Sequence, residues 1–271
     1  MYERGGGDVI SDLVPVVKEF PDRQDINIFA VSDLHVGSAE WQEQAWVHFR
    51  QAILADPNTY VIVAGDMMNN GTKSSVTNVY EETMRPREQK ARLVEELTPI
   101  RDRIICGVPG NHEMRNVKDV DNDPLYDVFC KLDLEDIYRT NGCFPILRFG
   151  KKSNNGAKNP TYKVAVFHGE GGGALLGGYV NKIDRFGMAI DGVDLMIVGH
   201  SHKPITWPTG KLVIDPYNGK VSVKPFRVVV STSWLSYGGY VMRKLLTPSV
   251  FCQTAITLHG DHKAITVSQM T

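Results

Sequence analysis

Three short apolar runs stop abruptly at residues able to hold a cation, and nothing else in the chain restricts its fold so tightly. Residues 26–31 (INIFAV) end at Ser32-Asp33, residues 60–64 (YVIVA) at Gly65-Asp66, and residues 104–108 (IICGV) at Pro109-Gly110-Asn111-His112. Runs of this length bounded by turn residues read as buried strands. Between the first two, residues 41–55 carry Trp41, Ala45, Phe49 and Ile53 four apart, which predicts a helix with one apolar stripe. Between the second and third lie a polar loop, 67–78, and a charged helix centred on 87–97. The alternating charge signs over 85–103 mark a solvated face. Strand, helix and strand in this order predict βαβ units and a largely parallel sheet buried on both faces.

The second half reads as β structure. Residues 144–149 and 162–167 are strand-like and joined by a Lys/Asn/Gly turn at 151–159, and residues 195–198 (LMIV) end at Gly199-His200. Short β segments follow at 212–214 and 221–223 around Asn218-Gly219, then at 228–230, 250–258 and 264–267. With no linker, repeat or low-complexity tract, residues 1–271 read as a single domain of two packed sheets with helices outside. Residues 1–25 are an N-terminal extension without an assigned role. Covering a sheet edge, contacting a second subunit in a homodimer and staying disordered are all open to it.

Composition removes several classes. A chain 42% hydrophobic and 23% charged is not disordered. A net charge of −1 argues against non-specific wrapping of nucleic acid, which needs a basic surplus. No run approaches the ~18 apolar residues of a membrane span. Glu3, Arg4 and Asp8 occupy the place where a signal peptide would be apolar, so the expected location is cytoplasmic. Cys106, Cys130, Cys143 and Cys252 lie far apart without a CxxC pair, which excludes a disulfide framework or thiolate zinc site and predicts buried structural thiols.

The chemistry sits where strands end: Asp33 and His35 (DLH), Asp66 (GD), Asn111 and His112 (GNHE), His168 (FHGE), and His200 with His202 (GHSH). In an open α/β sheet the loops at the carboxyl ends of the strands form the ligand crevice. Imidazole and carboxylate without thiolate suit Mn, Fe, Zn or Ni. Seven candidate ligands are too many for one ion and suit two that share a carboxylate. Singly, each has a plainer reading: Asp33 or Asp66 as a helix N-cap, Asn111 as a turn residue, His168 as a hydrogen-bonded strand-end histidine. Five strand ends in succession favour the metal reading.

In this order the motifs resemble the calcineurin-like metallophosphoesterase superfamily, each complete, over Asp33 to His202. The resemblance implies an α/β fold, a four-layer αββα sandwich of two mixed β-sheets flanked by helices, with a dinuclear site at the sheet edge. It implies one ion on Asp33, His35, Asp66 and His202 and a second on Asp66, Asn111, His168 and His200, manganese being the first expectation. Asp66 would bridge, and His112 would sit beside the ions without binding them. Two ions ~3.5–4 Å apart clamp the attacking and leaving oxygens of an in-line displacement, and a hydroxide bridging them is the expected nucleophile. The chain has no GxSxG elbow. His112 is then the general acid for the leaving oxygen. Glu113 either keeps that imidazole charged or simply caps a helix start.

The motif variants narrow the substrate. Gly-Asp-Met-Met-Asn-Asn-Gly at 65–71 lacks the Asp-Arg-Gly ending of the Ser/Thr protein phosphatases, and Val108-Pro109 stands where they carry a phosphate-holding arginine. The Pro-Gly-Asn-His-Glu and Gly-His-Ser-His-Lys-Pro forms look more like the branch of DNA-repair nucleases and cyclic-nucleotide phosphodiesterases, and the compact layout is similar to bacteriophage phosphoesterases. About 70 residues follow His202, too few for a large DNA-binding cap. A nucleotide phosphodiester, cyclic or in a short single-stranded nucleic acid, is therefore the expected partner, with no membrane partner. A small-molecule phosphomonoesterase and a non-catalytic scaffold of the same fold are the alternatives. Candidate substrate contacts are Asn69, Asn70 and Lys73 after the second motif, Arg115 after the third and Lys203 after the last. Trp234, Tyr237 and Tyr240 could stack a base or close the core. Residues 169–174 loosely fit GxGxxA, a rival dinucleotide signal set aside for the His168 that precedes it. His48, His259 and His262 read as surface or packing histidines.

Overall fold

Strand alternation sorts the apolar residues into three cores, and from these the layers follow. In β2 (Ile26–Val31) and β3 (Thr59–Ala64), Ile28, Ala30, Ile62 and Ala64 face one way while Val31, Val61 and Val63 face the other. The same alternation holds in β6 (Thr161–Phe167) and β7 (Leu195–Val198). There Val164, Val166, Leu195 and Ile197 share the central core with the first set, and Ala165, Met196 and Val198 turn outward. Two sheets thus pack face to face, and each needs a helical cover for its second apolar face.

The computed structural model describes residues 10, 13–22, 24–72, 75, 79–151, 159–171, 176–239, 242 and 247–270. One sheet has the order β11-β10-β2-β3-β4, where β4 is Ile104–Val108, β10 Gln253–Leu258 and β11 Ile265–Met270. β2, β3 and β4 run parallel, β10 is antiparallel to β2, and β11 is antiparallel to β10. The other sheet has the order β1-β5-β6-β7-β9-β8, with β1 at Val17–Phe20, β5 at Ile146–Phe149, β8 at Ile205–Asp215 and β9 at Lys220–Val230. It is mixed too: β6, β7 and β9 run parallel while β5 and β8 oppose them. The first sheet's outer face is covered through Trp46 and Ile53 of α1 (Glu43–Ala55), Leu93 and Leu97 of α2 (Pro86–Leu97) and Phe129 of α4 (Pro124–Lys131). The second sheet's is covered through Tyr179 and Ile183 of α5 (Leu176–Ala189). The result is the four-layer αββα arrangement. No helix among the described residues is long and apolar enough to cross a membrane.

Several expectations need correction. The first helix starts at Glu43 instead of residue 41, because Gln42 N–H donates to Trp234 O at 2.8 Å and Trp41 bridges Leu235 in extended form. Its most buried side chain is Trp46, outside the expected stripe, and the Trp46 indole donates to Glu96 at 2.8 Å. The segments 212–214, 221–223 and 228–230 are parts of one hairpin, in register from Ile205↔Val230 to Asp215↔Lys220. Pro208, Gly210 and Pro225 hid it. Pro208 is tolerated because β8 is an edge strand, and Pro225 because β9 meets β7 only from Arg227 onward. Within the N-terminal extension, β1 pairs parallel with β5 and so forms the edge of its sheet. Cys106, Cys143 and Cys252 are buried, but Cys130 is exposed on α4. Glu113 marks the start of the helix at Asn111–Val120 (α3), whereas α4 and α5 were not expected.

Candidate metal centre

All seven candidate ligands converge at one place, where the carboxyl ends of β2, β3 and β4 face those of β6 and β7. The strand ends lock together through backbone: Asp33 N–H donates to Gly65 O at 3.0 Å, His35 N–H to Asp66 O at 3.1 Å, and Gly199 N–H to His168 O at 3.0 Å. Glycine before a ligand permits this closeness. A Cβ on Gly110 would sit 2.1 Å from Asp66 Oδ1, and one on Gly65, at φ +88°, would sit 2.5 Å from Gly110 N. Eight described non-glycine residues have positive φ, and five of them are candidate ligands: Asp33, His35, Asp66, His200 and His202. Backbone strain is concentrated where it aims these side chains inward.

Three sets of donors each close to within 4.8 Å: Asp33, His35 and His202; Asp66, His168 and His200; and, joining them, His35, Asp66 and His112. In the first, Asp33 Oδ1 lies 3.0 Å from His202 Nε2 and 3.9 Å from His35 Nε2. The two imidazole nitrogens are 3.4 Å apart. In the second, Asp66 Oδ2 is 3.1 Å from His168 Nε2. Asn111 Oδ1 completes that set, 3.2 Å from His168 Nε2 and 2.8 Å from His200 Nδ1.

Supporting contacts fix these groups. His168 Nδ1 faces Ala64 O at 2.7 Å, so it carries the proton and leaves the Nε2 lone pair for a cation. Asp33 Oδ2 accepts from Ser32 Oγ and, at 3.0 Å, from His200 N–H. Asp66 Oδ1 accepts from His112 N–H at 2.8 Å. His112 Nδ1 faces Asn69 O at 2.6 Å, which leaves its Nε2 toward the centre, 3.8 Å from Asp66 Oδ2.

The donor set fits divalent cations on two grounds. Asp33 Oδ1 is fully buried, makes no hydrogen bond and faces the imidazole nitrogens of His202 and His35; ligand atoms turned on one another in this way suit a shared cation. The charges also suit one. Burial works to raise both carboxyls, yet Asp33 is held at about 2 by His202, and Asp66 well below the usual range by His168 and His112. Against burial, Asp66 lifts His168 to about 10, and Asp33 raises His202. Without metal, protonated imidazoles supply the positive charge; burial instead depresses His35, His200 and His112. Asp33, His35, Asp66 and His202 would hold one ion, and Asp66, Asn111, His168 and His200 the other.

Other residues took roles that the motifs did not announce. The Glu113 carboxylate is buried and accepts three backbone N–H groups, from Asp66 at 2.9 Å, Met68 at 3.1 Å and Gly110 at 2.8 Å. It caps the start of α3 and pins the Asp66 loop, and no contact joins it to the His112 ring. Asn70 is buried; its amide donates to His112 O at 2.7 Å and its N–H to Gln89 Oε1. Asn69 donates to Glu82 at 3.0 Å. Both asparagines therefore buttress the His112 loop from within. Trp234 is fully buried against Trp46, Phe49 and Phe251, so the core reading holds for it and base stacking does not. Tyr237 is 46% exposed. Lys203 Nζ bonds Thr247 at 2.9 Å. Arg115 is half-buried and lines a cavity of about 490 Å³ that also touches Asn111 and His168. His48 is exposed, His259 pairs with Asp25 at 2.7 Å and His262 with Asp261, all away from the site. Lys73, Tyr240 and the glycine-rich residues 172–174 lie outside the described residues.

Solved structures to which this chain is similar include vacuolar protein sorting 29 from Cryptosporidium parvum, 14% identical, covering 92% of this chain and 99% of that one at a TM-score of 0.40. A metallophosphoesterase from Sphaerobacter thermophilus is 12% identical, covering 92% and 89% at 0.41. A calcineurin-like phosphoesterase from Bacillus subtilis is also 12% identical, covering 92% and 91% at 0.41. No curated protein sequence matches significantly. The family model for calcineurin-like phosphoesterases matches residues 26–204, from the start of β2 to just past His202. About two thirds of the sequence, including every motif that builds the centre, fits that model, and the chain belongs to the calcineurin-like phosphoesterase family.

Proposed function

We propose that this protein hydrolyses nucleotide-type phosphodiesters, with two divalent cations (manganese first) held by Asp33, His35, Asp66, Asn111, His168, His200 and His202. The observation that carries the reading is the convergence of seven oxygen and nitrogen donors from five strand ends, the buried Asp33 Oδ1 among them without a hydrogen bond, and His112 beside them. The cations, when bound, supply the charge that acidifies water and neutralises the phosphoryl oxygens. The chain's own contribution is position and a proton. Asp66 belongs to the second donor set and to the group that joins it to His35, so it would serve both ions and fix their spacing. His112 keeps one proton on Nδ1 against Asn69 O, and its Nε2 is the atom that can deliver a second. Burial depresses its basicity, which makes the protonated form a ready donor once an anionic phosphoester draws the proton in. Water adds at phosphorus and gives up one proton to solvent, the bond to the leaving oxygen breaks, and that oxygen takes the Nε2 proton. The branch nearest this reading is that of nucleases and cyclic-nucleotide phosphodiesterases.

The test is a panel of a monoester, a generic diester, single-stranded DNA, RNA and cyclic mono- and dinucleotides, with Mn²⁺ present. Nucleotide diesters should be turned over fastest. His112→Ala should keep two ions per chain and lose about 10²–10⁴ in kcat, whereas Asp66→Ala should lose the ions as well. Dominant monoester turnover would overturn the substrate class, and no bound metal with no turnover would favour the scaffold.

A further inference from the structure

The cavity beside Asn111 and His168 is larger than a phosphoryl group needs. Its volume of about 490 Å³ lies within the ~300–1,000 Å³ usual for small-molecule sites. One end opens on the second donor set. From there it runs between α3 and α5 over Phe167 and Val198, at the ends of β6 and β7. Tyr179, Lys182, Ile183 and Phe186 recur at helical spacing, so one stripe of α5 forms a wall. Phe186 packs edge to face on Phe167, ring centroids 5.0 Å apart at 82°, yet remains 46% exposed. The opposite wall, on α3, carries Lys118. Lys182 Nζ is held at 2.5 Å by the backbone carbonyl of Glu170, which leaves its charge unneutralised by that contact. An aromatic, mostly apolar slot with a lysine on each wall and the metal ligands at one end is complementary to a flat ring joined to phosphates.

We infer that this cavity is a nucleoside subsite: a base lies against Phe186 and Phe167, and a phosphate beyond the scissile one meets Lys118 and Lys182. The inference rests on the nucleotide reading above and deepens it. It assigns as substrate a dinucleotide bearing a further phosphate, cyclic or 5′-phosphorylated, small enough to enter the slot. Stacking gives affinity without base selectivity, because every base presents a flat face.

The test uses full-length Mn²⁺-loaded protein and compares a 5′-phosphorylated dinucleotide with its abasic counterpart and with its unphosphorylated form. The wild type should prefer the intact substrate. Phe186→Ala should reduce the intact-to-abasic ratio of kcat/KM about tenfold, the usual scale for losing one stacking contact. Lys118→Glu and Lys182→Glu should reduce the phosphorylated-to-unphosphorylated ratio instead. Equal turnover of intact and abasic substrate by the wild type, or ratios unmoved by these variants, would overturn the subsite. A second arm measures AMP binding to the metal-free protein by calorimetry, which Phe186→Ala should weaken about tenfold. If no ester is hydrolysed, the proposed function fails, and this arm still decides the cavity: binding weakened by Phe186→Ala upholds it, and absent or unaltered binding overturns it.

Discussion

Glu113 is a ligand to nothing, yet its replacement should loosen the whole centre. Its carboxylate is the common acceptor for the N–H groups of Asp66, Met68 and Gly110, so Glu113→Ala orphans three buried donors at once. At roughly 2 kcal/mol each this costs about 6 kcal/mol. Part is returned, because the wild type must keep a carboxyl that burial and the nearby Asp66 push from 4.5 up to about 7. Releasing it regains roughly 3 kcal/mol at neutral pH, which leaves a net loss of about 3. The sign of the pH dependence follows. A carboxyl whose folded pKa exceeds its unfolded one costs stability increasingly as pH rises from 4.5 toward 7. The deficit of Glu113→Ala should therefore be larger at pH 5 than at pH 8. Glu113→Gln should be milder than Glu113→Ala, since its carbonyl can still serve the two N–H groups now shared by Oε2. The assay is urea unfolding of metal-free protein followed by tryptophan fluorescence, with metal titrations alongside, where a 10–100-fold loss of affinity is expected. A Glu113→Ala protein within about 1 kcal/mol of wild type at pH 5, or Glu113→Gln worse than Glu113→Ala, would refute the reasoning.

Three further outcomes are expected. Gly110→Ala should fold but bind metal poorly, because its Cβ would intrude to 2.1 Å from Asp66 Oδ1; metal content by mass spectrometry checks it, and two ions per chain would contradict it. Trp46→Ala should cost about 3–5 kcal/mol in denaturant, since it empties a fully buried site and leaves the buried Glu96 without its indole donor. Adding Mn²⁺ to chelated protein at ~100 times each dissociation constant should stabilise it by about 5 kcal/mol over two sites and raise Tm by roughly 10–20 °C. Asp66→Ala should abolish that rise, and a thermal scan with and without chelator reads both.

Much of the fold and of the site was legible because its determinants are local. The strands β2, β3, β4 and β7 are short apolar runs closed by Ser-Asp, Gly-Asp, Pro-Gly-Asn or Gly-His, and after β3 and β7 a glycine beside a side chain at positive φ turns that side chain into the crevice. What escaped has non-local causes. The long β8–β9 hairpin is held by register with a single partner over its outer half, so its prolines and exposed positions look like interruptions. Glu113 sits at a helix start, where a carboxylate is usually an ordinary cap; that it also pins the Asp66 loop, 47 positions back along the chain, is a fact of packing. Trp234 in its Ser/Gly-rich loop is core because β9 delivers it beneath α1.

The amino-acid order alone determined which residue types end each strand, that these are cation donors without thiolate, and that alternation would bury both faces of two sheets. Only the tertiary structure decided which donors share an ion-sized space. Asp33 and His202 are brought together by sheet packing across 169 positions of sequence, as are His168 and Asp66 across 102. Periodicity fixes which face of a strand is apolar, since it depends on near neighbours. The pairing of sheet edges depends on burying one common core, and no single stretch of chain contains that.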